Sequence, residues 1–216
     1  MMNKDIYILG IGYNTPLIIE LADLNGYTIK GLYNYDLNEV DLNNTLGYPV
    51  LGDYSFLYQS KSLDNSCNYA LSMGNNKIRK ELFERVKNAG GNVPTLVHPT
   101  ASVSPLAKVS NEGVIIHANS TVQATAVIGS NTIVSYNSGI THTTHIGCHC
   151  YIASLTTIGA YCQVDDGVFI GMGSTIVSGK VGRIGSWAYI GAGSLVIAEV
   201  PENSLVYGSP ARVKPC

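Results

Sequence analysis

Three of the chain's five histidines crowd into nine residues, Thr141-His142-Thr143-Thr144-His145-Ile146-Gly147-Cys148-His149, and Cys150 follows directly. Imidazole is the side chain that changes charge near neutral pH and the commonest metal ligand, so proton transfer and metal ligation are the chemistries to weigh first. The spacing argues against a metal. Read as part of a strand, Cys148-His149-Cys150 sends alternate side chains to opposite faces, and His142, His145 and His149 fall in different phases of the repeat described below. Three ligands from one chain therefore do not converge, and the histidine set of a carbonic anhydrase built on such a repeat would need another spacing. On the residues alone, His142 faces out just past a corner, where it can reach a neighbouring subunit's groove, and reads as a solvated side chain.

Two glycine-marked segments offer a second chemistry. Gly10-Ile11-Gly12 sits between the apolar run Ile6-Tyr7-Ile8-Leu9 and the helical pattern that opens at Thr15-Pro16. Glycine lets a backbone approach a diphosphate closely, and a helix start presents free N–H groups to it. Position 15 is threonine where the full G-x-G-x-x-G has glycine, so a nicotinamide dinucleotide is not expected; a ligand-free turn is the competing reading. Gly74-Asn75-Asn76 could donate to a phosphate or sugar, or Asn75 could simply cap the next helix. Tyr33 and Tyr35 read either as a platform for a nucleotide base or as half-buried strand residues.

The elements that must position these groups come from two textures. From Ile116 every sixth residue is Ile or Val: Ile116, Val122, Ile128, Val134, Ile140, Ile146, Ile152, Ile158, Val164, Ile170 and Ile176. The residue two places earlier is small or slim, as in Ser120, Ala126, Thr132, Ser138 and Thr144. A period of six fits three short strands per coil of a triangular solenoid, about eighteen residues a coil, with the aliphatic ladder inside and the small residues at the corners. The period slips once, between Ile176 and Ile184, which predicts a bulge over 178–182. Val103 and Val109 carry the repeat upstream in a shifted phase, to an entry near His98-Pro99, and Pro201 with the segment 207–213 ends it.

Before residue 95 the pattern is a small α/β domain. Strands are predicted at 6–9, 28–33, 48–52 and 69–73, with a capped helix from Thr15-Pro16 stopped by Gly26 and another over 76–89. The βα order predicts a Rossmann-like parallel sheet, with Gly74 beside the first glycine turn in the crevice such sheets use for ligands. The fold class is therefore a small Rossmann-like parallel sheet over 1–95, followed by an all-β left-handed parallel β-helix over 96–216.

Composition narrows the classes. The 216 residues are 45% hydrophobic, with a mean hydropathy of +0.14, enough to bury a core. A net charge of −2 with 13 Lys plus Arg leaves no basic stripe, so nucleic acid is not an expected partner. No apolar run reaches the length of a membrane span, and the opening MMNKDIYILGIG is too soon broken by glycine for a signal peptide, so a cytoplasmic location without membrane insertion is expected. The five cysteines (Cys67, Cys148, Cys150, Cys162, Cys216) are odd in number and read as reduced thiols.

On these residues the chain resembles the bacterial sugar acetyltransferases of the NeuD/PglD type, which acetylate sialic acids or nucleotide-linked 4-amino sugars. The carriers span nearly its whole length: the Gly10-Ile11-Gly12 turn, Gly47-Tyr48-Pro49-Val50-Leu51-Gly52-Asp53, Gly74-Asn75-Asn76-Lys77-Ile78-Arg79, Val97-His98-Pro99, the His142 hexad, Phe169-Ile170-Gly171-Met172-Gly173 and Gly208-Ser209-Pro210-Ala211. The resemblance implies a homotrimer with acetyl-CoA in the groove between adjacent β-helices, its thioester near His142 as general base. It implies contacts to that donor from Tyr151, Ala160, Gly171, Met172 and Ala192, with a backbone N–H near Gly171 for the oxyanion. Substrate contacts fall on Gly10, Gly12, Tyr13, Asn14, Asn34, Tyr35, Gly74 and Asn75. The family often carries an acidic residue after the histidine, where this chain has Thr143; Tyr151 stands where a relative has histidine. The expected reaction moves acetyl from acetyl-CoA to the amine of a nucleotide-diphospho 4-amino-4,6-dideoxy sugar for O-antigen assembly, without a metal. O-acetylation of a sialic-acid-type sugar and a non-catalytic nucleotide-sugar-binding trimer are the alternatives.

Overall fold

The structure, a computed structural model, describes residues 4–59, 63 and 67–214. Cys216 and the first three residues of the opening segment lie outside them. The chain divides into two compact units, Met1–Leu96 and Val97–Cys216.

In the first unit β1 (Asp5–Leu9), α1 (Thr15–Leu24), β2 (Thr28–Asn34), β3 (Val50–Asp53), β4 (Asn68–Leu71) and α2 (Asn76–Asn88) build a four-stranded parallel sheet in the order β3-β2-β1-β4. Strand order reverses at β1, which places a crevice outside the carboxyl ends of β1 and β4. Ile6, Ile8 and Leu9 of β1 are fully buried, with Ile18 and Leu21 of α1 and Leu82 and Val86 of α2 buried as well. A strand covered on both faces has to be apolar almost throughout, and β1 is.

The start of α1 differs from expectation. Asn14 is the N-cap and makes no side-chain capping bond, while Thr15 is the first helical residue and is fully buried. Its hydroxyl is drawn away from the cap by the glycine turn and by Ser72, the residue after β4. Pro16 keeps its first-turn place, and Gly26 leaves the helix at φ +75°.

The second unit is a left-handed parallel β-helix whose strands, nearly all of two residues, stack into sheets of five, eight and six strands. Val127 and Ile128 pair with His145 and Ile146, one eighteen-residue coil later, as do Ile133 and Val134 with Tyr151 and Ile152. All eleven aliphatics of the hexad are at most 2% exposed, as are Ile184, Ile190 and Val196 after the slip. Each such burial contributes about 1.5–3 kcal/mol. Beyond the slip, Gln163 pairs with Arg183, twenty residues on, so two residues are extruded at the corner formed by exposed Ser178, Gly179 and Lys180. Antiparallel strands Leu205–Gly208 and Ala211–Val213 close the solenoid.

The corner residues are more than small. The hydroxyls of Ser120, Thr132, Ser138, Thr144 and Thr156 donate to the carbonyls of Ser135, Gly147, Ala153, Gly159 and Gly171, each fifteen residues on, at 2.7–3.2 Å. Cys150 Sγ makes the same contact to Asp165 O at 3.1 Å. The corner needs a short side chain that can satisfy a buried carbonyl, which explains Ser and Thr in place of Ala. Cys148-His149-Cys150 is therefore no strand: Cys150 lies inside the corner, and His149 takes a left-handed φ of +60°, with Nδ1 2.9 Å from Asn131 Nδ2. Among the described residues no group of three or more His, Cys, Asp or Glu side chains could hold a metal ion, and no helix is long and apolar enough to cross a membrane.

Candidate active site

The crevice of the first unit is braced from within. Gly10 N donates to Tyr33 O at 2.8 Å, Ile11 N to Asn34 Oδ1 at 3.0 Å, and Gly12 N to Thr15 Oγ1 at 2.8 Å. Thr15 Oγ1 also lies 3.0 Å from Gly10 O and 3.2 Å from Ser72 Oγ, and Ser72 donates to Gly10 O at 2.7 Å. The turn thus spends the Gly10 and Gly12 N–H groups internally. Among the described residues the N–H groups of Tyr13 and Asn14 meet no acceptor in the chain and are the ones left for an anion at the start of α1. Gly10 is required for another reason: its φ is +96°, and a Cβ there would lie 2.8 Å from Ser72 Oγ.

Asn34 also departs from its expected role. Its Oδ1 holds Ile11 N and its Nδ2 donates to Asp36 O at 2.8 Å, so it shapes the turn. Asn75 Oδ1 caps α2, accepting from Lys77 N and Ile78 N, which is the capping reading. Gly74 accepts from the buried Arg79 guanidinium at 3.4 Å. The two tyrosines separate: Tyr33 packs against Phe56 with ring centroids 4.9 Å apart, whereas Tyr35 is 75% exposed over Tyr54, whose burial pushes its hydroxyl up to about 12. Tyr13 is 93% exposed. The crevice therefore presents free backbone donors at the start of α1 and two exposed phenols, Tyr13 and Tyr35.

On the β-helix the candidate residues occupy two corners. His142 and Ala160 lie on the one between the six- and five-stranded faces; Gly171, Met172 and Ala192 lie on the one between the eight- and six-stranded faces. Tyr151 points out from the eight-stranded face, beside Phe169 at 5.4 Å. His142 is exposed, its backbone N–H bonded to Gln123 Oε1 at 3.1 Å, its Nδ1 3.3 Å from Thr143 Oγ1, and its ring perpendicular to Tyr161 at 5.4 Å. Gln123, Thr125 and Tyr161 were not singled out in the sequence. The repeat had placed them, since Thr125 and Tyr161 stand eighteen residues either side of Thr143.

The N–H expected near Gly171 for the oxyanion is not that of Gly171 itself. Its N–H is spent on Ile190 O at 2.8 Å, and its carbonyl accepts from Thr156. A Cβ at Gly171 would meet Ala192 N at 2.5 Å, so glycine here answers to close stacking of coils. At this corner the N–H groups of Met172 and Ala192, like those of Ala118 and Ser154 on earlier coils, meet no acceptor among the described residues. Ala160 is buried and donates to Ser178 Oγ. Exposed Leu155 and Met172, at 60% and 55%, give the corner an apolar lining suited to the alkyl amide arm of acetyl-CoA.

Two of the thiols are held in the protonated form. Burial pushes Cys162 up to about 12, and burial together with Asp166 raises Cys148. His117, stacked on Tyr136 at 4.4 Å, is held down at about 4 by burial and by His98, so it stays neutral inside the solenoid.

The PglD N-terminal domain model matches residues 5–86. GDP-perosamine N-acetyltransferase of Escherichia coli O157:H7 is 30% identical over 169 residues, covering 77% of this chain and 75% of that protein. The structure of PerB from Caulobacter crescentus in complex with CoA and GDP-perosamine superposes with a TM-score of 0.86 at 27% identity, covering 98% of this chain and 97% of that one. Acyl-[acyl-carrier-protein]--UDP-N-acetylglucosamine O-acyltransferase of Pseudomonas paraeruginosa is 33% identical over 132 residues, and there the chain spans only half of the relative's length. The full-length superposition joins a parallel-sheet unit to a β-helix as this chain does, and with the match at the sheet and the relative aligned over three quarters of its length, the chain belongs to the NeuD/PglD-type family of sugar acetyltransferases.

Proposed function

We propose that this protein transfers the acetyl group of acetyl-CoA to the amine of a nucleotide-diphospho 4-amino-4,6-dideoxy sugar, as a step in surface-polysaccharide (O-antigen) assembly. It works as a cytoplasmic homotrimer with its sites between subunits. The observation that carries this reading is His142: an exposed imidazole at a β-helix corner, held through one ring nitrogen by Thr143, with no partner for the other among the described residues. In the reaction the sugar amine attacks the thioester carbonyl, forming the C–N bond. The second nitrogen of His142 takes the amine proton, the C–S bond breaks, and the proton passes to the departing sulfur. Met172 and Ala192 N–H groups meet the oxyanion. They lie on a different corner from His142, so a groove between copies, with one corner from each, supplies what one copy cannot.

Relatives named for GDP-perosamine N-acetylation favour an amine over a hydroxyl acceptor. Tyr13 and Tyr35, exposed beside the free N–H groups of the first unit, are the residues for the nucleotide. The test is free-thiol release from acetyl-CoA with GDP-, dTDP- and UDP-linked 4-amino sugars and with sialic acid. Release with a 4-amino nucleotide sugar is expected. Release with sialic acid alone would assign O-acetylation, and none with any acceptor would leave a nucleotide-sugar-binding trimer.

A further inference from the structure

Thr125 and Thr143 lie one above the other on successive coils at the His142 corner, with φ of +63° and +59°. Among the described residues they are the two β-branched side chains in the left-handed region, which such residues rarely adopt. Equivalent places at the other corners are often filled by residues that tolerate it, Asn119, Asn131, Asn137, Gly167 and Gly173 among them. Two threonines on adjacent coils, both in a disfavoured backbone state beside the candidate base, call for a reason other than folding.

Their hydroxyls supply one. Thr125 Oγ1 lies 2.6 Å from Ala124 O, which can only accept, so the Thr125 proton is spent there. The same oxygen accepts from Thr143 N at 3.1 Å and lies 3.0 Å from Thr143 Oγ1. With Thr125 having no second proton, Thr143 Oγ1 must donate to it. That turns a lone pair of Thr143 toward His142 Nδ1, 3.3 Å away, and a lone pair there requires the proton on Nδ1. We propose that Thr143, anchored by Thr125, is a positioning residue that holds neutral His142 as the Nδ1–H tautomer and so leaves Nε2 unprotonated toward the substrate amine. The polarity starts at a backbone carbonyl and needs no carboxylate. Gln123 Oε1 fixes the His142 backbone N–H, and Tyr161 stands perpendicular to the ring.

The inference rests on His142 being the base, and its test separates the two. Nitrogen-15 NMR of the histidine-labelled protein at neutral pH, with His142 assigned from a His142→Gln difference, reads the tautomer without any substrate. The wild type is expected to show His142 protonated at Nδ1, and Thr143→Val to move it toward the Nε2–H form. With acetyl-CoA and GDP-perosamine, Thr143→Val and Thr125→Val are expected to lower kcat by roughly ten- to a hundredfold, the range for losing the outer partner of a functional histidine, with KM for acetyl-CoA little changed. Thr143→Ser, which keeps the hydroxyl, should recover most of the rate. Wild-type His142 found as Nε2–H, or a tautomer unmoved in Thr143→Val, overturns the proposal whatever the kinetics. An active His142→Ala would remove the base and leave the tautomer assignment standing.

Discussion

At the scale of single residues, the chemistry depends on which nitrogens and hydroxyls the fold has already used. His142→Ala should cut turnover by at least about a hundredfold, the usual contribution of a positioned base, while leaving assembly intact; steady-state thiol release and a sizing column read the two separately. His117 gives a prediction in stability. Its folded value of about 4 lies below its ordinary 6.5, so the folded protein resists a proton that the unfolded chain accepts. The stability is full above about pH 6.5 and drains as pH falls toward 4, by a total on the order of 3 kcal/mol. Urea denaturation at pH 7 and pH 4.5 should show the loss, and His117→Phe, which keeps a ring against Tyr136, should flatten it. The sequence showed His142 as an outward imidazole and no more; its role came through the family resemblance. Gly12, Gly171 and Asn34 read as ligand contacts because their types permit it, but a residue's free hydrogen-bonding groups depend on neighbours distant in the chain: Thr15 for Gly12, Ile190 for Gly171, and Ile11 with Asp36 for Asn34.

At the scale of elements, two-residue strands carry little stability alone, and the ladder through the prism makes each coil depend on its neighbours. Ile152 is fully buried between Val134 and Ile170. Ile152→Ala should cost about 2–5 kcal/mol, whereas Thr157→Ala on the exposed outer face should change stability by no more than about 0.5 kcal/mol; thermal unfolding of the pair tests the assignment of faces. This level was the most legible, because a period of six imposes the same inside and outside on every coil, and even the slip after Ile176 could be read as two extra residues. The hydroxyl ladder at the corners was not, since Ser and Thr there look merely small. In the first unit the strand and helix pattern was readable, while the cap of α1 was misassigned: Thr15 is a normal capping residue, but Ser72 and the Gly10 carbonyl compete for its hydroxyl.

At the scale of the whole molecule, the division of labour follows from geometry within each unit. The sheet unit offers free N–H groups and exposed tyrosines; the solenoid offers His142 on one corner and Met172 with Ala192 on another. Corners of one prism stay apart, so the account requires copies to meet, and the mass in solution should be three times the 23.0 kDa chain. No residue pattern reveals that directly, since a corner that meets another copy and one that meets water can carry the same side chains. The most direct test is a crystal structure with CoA bound. The account predicts the sulfur beside His142 of one copy and within reach of the Met172 and Ala192 N–H groups of the next; CoA held by a single copy, away from that imidazole, would contradict it.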